Sequence, residues 1–120
     1  MILVDTSVWV DHLRADDPML RGLLEAGLVL THPFVIGEIA LGHLRQRRMV
    51  LAALDNLSQA VMATEAEVRG LIEAEALAGS GIGYLDAHLL AASRLSAARL
   101  WTRDRRLAAL GARLGLAYPA

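Results

Sequence analysis

The sequence predicts an α/β domain with a mostly parallel central sheet of four or five strands flanked by helices. Short apolar runs at residues 2–4, 28–31 and 98–102 have the length and composition of buried strands. Segments with helical periodicity separate these runs, and strands that alternate with helices are joined by right-handed crossovers into a parallel sheet. A chain of 120 residues buries one core, so we expect a single domain over residues 1–120.

The first strand, at residues 2–4, leads into a helix for which Thr6 or Ser7 is the predicted N-cap. A short helix follows over Met19–Ala26 and ends at Gly27, because glycine is common just beyond the last turn of a helix.

The second strand is the run LVLT at residues 28–31. Pro33 suits the first turn of a helix that we expect to continue to about Arg47, since its missing N–H is not needed there. A further helix is predicted over Met49–Leu57, and Ala60–Ala63 is a weaker strand candidate.

Thr64 and Glu67 have the spacing of a capping box, which predicts a helix that runs to about Ala78. The glycines of GSGIG, residues 79–83, then interrupt the helical pattern. Periodicity resumes over Tyr84–Ser96.

The C-terminal part begins with the run ARLWT, residues 98–102, which predicts another good strand. A last helix is expected to start at Arg103 or Asp104. Leu116–Tyr118 is a possible edge strand.

Four acidic residues lie near the ends of the predicted strands or on the helices that follow them. Asp5 directly follows the first strand, and Asp104 lies three residues beyond Trp101 in another. Glu38 lies on the helix entered from LVLT, and Asp86 lies in the first turn of its own helix. Ligands of open parallel sheets bind beyond the carboxyl ends of the strands, so we expect these acids to share a site.

Each of the four acids also has an ordinary explanation: a turn residue, a solvated side chain, a helix dipole partner or an N-cap. If they are gathered at about 4 Å, each charged pair repels by about 4 kcal/mol at an effective dielectric constant near 20. Such a cluster requires a divalent cation or raised pKa values. Oxygen ligands without His or Cys suit Mg²⁺ or Mn²⁺, which assist the attack of water on a phosphodiester.

The composition excludes several classes of protein. Because Cys is absent, disulfides and thiolate zinc sites are not available. All twelve basic residues are Arg, which disfavours receiver domains, since these add a lysine; haloacid-dehalogenase-type phosphatases need a second Asp at the position of Ser7. No uncharged run approaches the roughly 18 to 20 residues of a membrane span. We expect a cytoplasmic protein without a membrane partner.

The chain resembles the PIN-domain ribonucleases, and among them the VapC-type toxins of toxin–antitoxin pairs. The resemblance rests on four blocks in order: VDTSVW, IGEIALG, YLDAHLLAAS and LWTRDRRL. It implies that Asp5 and Asp86 are the principal Mg²⁺ ligands, with Glu38 and Asp104 completing the acidic site directly or through water. Ser7 and Thr102 fall where the family often has a hydroxyl that orients a carboxylate or a water, although a turn or cap hydroxyl is the preferred explanation of both.

The resemblance also implies an RNA substrate, a homodimer and an inhibitory antitoxin protein. If metal neutralises the four acids, the remaining nine acids face twelve arginines, which leaves a formal charge of +3. The candidate contacts to RNA phosphates flank the acidic blocks, and they are Arg45, Arg47, Arg48, Arg103, Arg105 and Arg106. The alternative is a non-catalytic module of the same fold that binds RNA or a protein partner.

Overall fold

Residues 1–119, which a computed structural model describes, form a four-stranded parallel sheet flanked by seven helices. The strands are β1 (Ile2–Val4), β2 (Val29–Thr31), β3 (Ser58–Gln59) and β4 (Arg99–Trp101). The helices are α1 (Thr6–Arg14), α2 (Pro18–Glu25), α3 (Pro33–Ala40), α4 (Arg47–Asp55), α5 (Glu65–Ala74), α6 (Tyr84–Leu95) and α7 (Arg105–Arg113). The predicted fold class is confirmed.

The sheet has the strand order β3-β2-β1-β4, and every pair in it is parallel. β1 is central, with Leu3 opposite Leu30 on one side and Leu100 on the other. Because the strands run in one direction, their carboxyl ends all meet at one edge of the sheet. Asp5, directly after β1, therefore lies beside the end of β4, and its backbone N–H donates to the carbonyl of Trp101 at 2.9 Å.

The core is formed by the sheet and the apolar faces of the helices packed on it. Leu3 and Val4 of β1 are fully buried, as are Val8 of α1 and Leu89 and Leu90 of α6. A strand buried on both faces reads as an unbroken apolar run, and this is why residues 2–4 were identifiable in the sequence. Most other helices and strands lie within one or two residues of their predicted positions.

The helix predicted from Pro33 to about Arg47 is shorter than expected, and a loop separates it from the next helix. α3 ends at Ala40, and α4 begins at Arg47 rather than Met49. Between them, Gln46 has a φ of 51°, a left-handed conformation that no α-helix contains. The guanidinium of Arg47 donates to the carbonyls of Ala40 and Gly42, which lie at the end of α3 and would otherwise lack partners.

The strand predicted at Ala60–Ala63 is wrong, because the edge strand β3 is Ser58–Gln59. These two residues pair with Leu30 and Thr31 of β2 and are exposed, as befits an edge. The Ala60 N–H adds one more bond, to the carbonyl of Thr31 at 2.8 Å. The apolar residues 60–63 predict a buried segment. A strand is defined by its backbone pairing, however, and the pairing lies at residues 58 and 59.

The capping box of α5 is confirmed: the Thr64 side chain accepts from the Glu67 N–H, and the Glu67 side chain accepts from the Thr64 N–H. The helix nevertheless ends at Ala74, four residues before the predicted Ala78. Ala76 has a φ of 53°, so the chain leaves the helical conformation there.

Two other predictions need correction. Asp5 holds the N-cap position of α1, where Thr6 or Ser7 was expected, and its side chain makes no capping bond. The edge strand predicted at Leu116–Tyr118 is a single parallel bridge between Ala117 and β4. Within residues 1–119, no helix combines the length and the apolar character needed to cross a bilayer.

Ala97 closes the C-terminus of α6 in a left-handed conformation, with a φ of 50°. The N–H of Ala98 bonds to the carbonyl of Ser93 at 2.9 Å, and the N–H of Ala97 bonds to that of Arg94 at 3.2 Å, which is the Schellman arrangement that glycine favours.

We predict that Ala97→Gly raises the free energy of unfolding by about 1 kcal/mol, because glycine avoids the Cβ strain of this conformation. Urea denaturation followed by circular dichroism measures the change. Ala109→Gly, at an exposed interior position of α7, is the control and should lower stability by about 1 kcal/mol. A loss of stability in both variants would contradict the prediction.

Candidate active site

Asp5 is the most buried of the four predicted acids, with 6% of its surface exposed. The strand end brings it close to the residues that follow β4. Its Oδ2 atom accepts hydrogen bonds from the hydroxyls of Ser7 and Thr102, both at 2.8 Å. Burial of a carboxylate is costly, and two hydroxyl donors on one oxygen offset part of that cost.

Backbone groups fix the orientation of both hydroxyls. Ser7 Oγ accepts from the N–H of Arg103 at 3.0 Å, and Thr102 Oγ1 accepts from the N–H of Asp104 at 3.1 Å. Each hydroxyl has a single proton, which it gives to Asp5. Within residues 1–119, no hydrogen bond reaches Oδ1 of Asp5, so this oxygen retains its lone pairs for a ligand.

Glu38 and Asp104 are exposed, and each has one oxygen engaged. Glu38, on α3, accepts at Oε1 from the hydroxyl of Thr6 at 2.8 Å. Asp104 caps α7, since its Oδ1 accepts from the N–H of Leu107 at 3.0 Å. The ordinary role of Asp104 as an N-cap is therefore present, and it leaves the second oxygen of the carboxylate free of bonds to the described residues.

Asp86 lies in the first turn of α6 and is partly buried. Burial raises the pKa of its carboxyl above the ordinary 3.8, and the negative charges of Asp5, Asp104 and Glu38 raise it further. The structure therefore brings all four predicted acids into one electrostatic neighbourhood. A cation bound among them would relieve the repulsion that raises this pKa.

The four acids suit a metal ion that keeps most of its bound waters. Among residues 1–119, no three His, Asp or Glu side chains stand close enough to hold one ion between them. Mg²⁺ usually binds to proteins through one or two carboxylates and keeps several waters. The donors are carboxylate oxygens, and the described hydrogen bonds leave one oxygen of Asp5 and one of Asp104 free. This donor set fits a hydrated Mg²⁺ or Mn²⁺.

The arginines predicted to contact RNA are not equally available. The guanidinium of Arg103 pairs with both Asp11 and Asp17 and lies 5.6 Å from the ring centroid of Trp101. The side chain of Arg103 therefore links α1, the start of α2 and the end of β4. Two carboxylates balance its positive charge, so it is not available to bind a phosphate. Arg47 is likewise occupied, with the carbonyls at the end of α3.

The other four predicted arginines are exposed. Arg106 donates to the carbonyl of Gly81 at 3.4 Å, a long bond to the loop that precedes α6. The side chains of Arg45, Arg48 and Arg105 make no hydrogen bond or ion pair within the described part of the chain. Contact of these residues with RNA remains a prediction.

Thr6 is a site residue that the sequence did not indicate. It was considered only as a helix cap, whereas its hydroxyl orients Glu38 from a helix 32 positions earlier in the chain. A hydroxyl next to a strand-end acid was the available signal. Its partner could not be predicted, because it depends on the packing of α1 against α3.

Comparison with known proteins agrees with this architecture. The family model described as the PIN domain matches residues 2–112. Proteins named Ribonuclease VapC32 from two strains of Mycobacterium tuberculosis are 50% identical to this chain over 118 residues, which cover 98% of it and 95% of theirs. The crystal structure of PAE2754 from Pyrobaculum aerophilum superposes with a TM-score of 0.59 at 18% identity, covering 95% of this chain and 88% of the other. That structural likeness supports the fold alone.

We predict that Thr102→Val lowers the free energy of unfolding by about 1.5 kcal/mol or more. It keeps the shape of the side chain but removes the hydrogen bond to the buried carboxylate and the one that the hydroxyl accepts from the Asp104 N–H. Urea denaturation at neutral pH measures the change. Thr102→Ser keeps the hydroxyl and should retain most of the stability. Equal stabilities of the two variants would show that the bond to Asp5 contributes little.

We predict that Asp86→Asn stabilises the metal-free protein at pH 7. The folded chain binds the Asp86 proton more tightly than the unfolded chain, so stability is lost as the pH rises from about the ordinary 3.8 through the raised pKa. The amide carries no charge and avoids this loss. Urea midpoints in EDTA should therefore differ at pH 7 and converge as the pH falls to the ordinary pKa of Asp.

Glu73→Gln, a change at an exposed acid of α5, is the control for the general effect of removing one negative charge. A lower midpoint for Asp86→Asn than for the wild type at pH 7 would contradict the proposed repulsion.

Proposed function

The chain belongs to the PIN-domain family, and on that premise we propose that it is a metal-dependent endoribonuclease that hydrolyses RNA phosphodiester bonds. The observation that carries the proposal is the group of four acids that includes the buried, hydroxyl-bound Asp5. Burial raises the pKa of Asp86 in this group, and the charges of the other three acids raise it further. The name of the M. tuberculosis relatives, Ribonuclease VapC32, supports RNA as the substrate.

We propose that Asp5 and Asp86 bind Mg²⁺, for which Mn²⁺ is a substitute, and that Glu38 and Asp104 complete the site directly or through water. When bound, the metal lowers the pKa of a water and neutralises charge that develops on the leaving oxygen. The hydroxyls of Ser7 and Thr102 hold Oδ2 of Asp5, which leaves Oδ1 as its ligand atom. Thr6 similarly holds one oxygen of Glu38.

Asp86 gives the reaction its expected dependence on pH. Its raised pKa means that a larger share of the carboxyl is protonated in mild acid than for an ordinary Asp. A protonated carboxyl does not compete well for a cation, so metal affinity should fall with acidification. The oxygen of Asp104 that makes no bond to the described residues can accept a hydrogen bond from a water that hydrates the ion.

We also propose that the protein is the toxin of a type II toxin–antitoxin pair, that it acts in the cytoplasm as a homodimer, and that an antitoxin protein inhibits it. The near full-length relationship to proteins with the VapC name supports this role. A non-catalytic module of the same fold is the alternative, and an active purified protein would exclude it.

We predict that the purified protein cleaves RNA in Mg²⁺ or Mn²⁺, and that EDTA or Asp5→Asn reduces the rate by at least about a hundredfold, since either removes transition-state charge stabilisation. Gel electrophoresis of an end-labelled structured RNA measures cleavage. Glu73→Gln, which removes an exposed acid outside the site, should retain wild-type activity. Cleavage that persists in EDTA would contradict metal dependence.

The same variants distinguish the toxin role in cells. Expression of the wild type should arrest growth, whereas Asp5→Asn expressed to the same level should not. Equal growth of both cultures would count against the toxin role. The ribonuclease activity would then be judged from the cleavage assay alone.

A further inference from the structure

An open cleft of about 820 Å³ lies outside the group of four acids and shares one residue with it. α1 forms one wall, and the end of α3 with the loop at residues 41–46 forms the other. The shared residue is Glu38, which is hydrogen-bonded to Thr6 next to Asp5. The cleft therefore begins at the carboxylates and leads away from them along α1.

The charged side chains that line the cleft are mainly basic. Arg14 and Arg45 stand with His12 and His43, and Glu38 is the one acid among the lining residues. Neither arginine makes a hydrogen bond or an ion pair within residues 1–119. They differ in this from Arg103, which two carboxylates neutralise. A cleft with two unneutralised guanidinium groups attracts a polyanion.

His12 lines the cleft, and a backbone hydrogen bond sets the tautomer of its neutral ring. Its Nδ1 accepts from the N–H of Asp17 at 3.0 Å, so in the neutral ring the proton is on Nε2. Asp16 is the nearest acid to this ring, at 3.9 Å, and it is also paired with Arg21.

The remaining lining includes apolar side chains between these polar groups. Val10 and Leu13 contribute from α1, Leu44 from the loop at residues 41–46 and Val50 from α4. A groove lined by both cationic and apolar side chains suits a single strand, whose phosphates and base faces need separate surroundings. A duplex keeps its base faces stacked inside and could not place them against the apolar side chains.

We propose that the cleft is the path of a single-stranded RNA segment adjoining the cleaved bond, with Arg14 and Arg45 binding its phosphates. This inference rests on the proposed nuclease function and adds a substrate subsite to it. Arg14 lies eight residues after Thr6 on α1, or about 12 Å along the helix axis. It is therefore placed to bind a phosphate away from the cleaved one, and not to stabilise the reaction itself.

The inference revises the predicted set of RNA contacts. Arg45 remains in it, and Arg14 enters although no feature of the sequence distinguished it from the other arginines. Arg47 and Arg103 leave it, because helix-end carbonyls and carboxylates occupy them.

The test measures binding separately from cleavage. A fluorescein-labelled single-stranded RNA is titrated with protein in EDTA, where metal-dependent cleavage does not occur, and anisotropy is recorded over a series of salt concentrations. We expect the double substitution Arg14→Ala and Arg45→Ala to weaken binding and to reduce the slope of log K against log salt by about 1.4, since each lost contact to a single strand contributes about 0.7.

Arg69→Ala is the matched control, because Arg69 is exposed on α5 and makes no ion pair or hydrogen bond within the described residues. It should leave both affinity and slope close to those of the wild type. Circular dichroism checks that each variant folds. If the protein cleaves RNA, the double variant should raise KM and leave kcat nearly unchanged, as expected for a distant subsite.

An affinity and a salt slope that match those of Arg69→Ala would overturn the proposal. The cleft would then be free to serve a protein partner with acidic side chains. Because this result is obtained without metal, it is distinct from a failure of the nuclease proposal, which would appear as intact RNA in Mg²⁺.

Discussion

The hydrogen bonds that hold the buried Asp5 carboxylate are the constraint on which the site depends. The two hydroxyl donors come from α1 and from the chain beyond β4, and backbone amides after β4 orient both. These bonds join the central strand to its neighbour at the carboxyl edge, in addition to the ladder between the strands. The need to satisfy one buried charge thereby fixes the position of Asp104 relative to Asp5.

The sequence was informative where a residue's neighbours along the chain decide its environment. Asp5 follows an unbroken apolar run, so its place at a strand end was predictable, and so was the place of Asp86 in a first turn. The break at residues 41–46 was not predictable, because it depends on a left-handed Gln46, a residue with no special preference for that conformation. A sequence also shows which residues are charged but not which groups they bind. Arg47 therefore could not be distinguished from Arg45 until the carbonyls that it binds were known.

The formal net charge of −1 conceals a separation of charge along the molecule. Acids collect at the carboxyl edge of the sheet, whereas the unpaired Arg14 and Arg45 border the adjoining cleft. Glu38 belongs to both surfaces. The ion pairs of Arg103 with Asp11 and Asp17 involve none of the four acids and neither of these two arginines. Such a separation is a local property, and a whole-chain charge carries no information about it.

The unequal surroundings of the two Asp5 oxygens decide how the site would receive a side chain of the same shape. An asparagine there would orient its carbonyl toward Ser7 and Thr102, because both groups need an acceptor. Its amino group would then occupy the position of Oδ1 and point two protons at any approaching cation. Isosteric replacement would thus preserve the architecture and invert the polarity of the ligand atom, whereas a truncated side chain would leave the two hydroxyls without an acceptor and disturb the edge of the sheet itself.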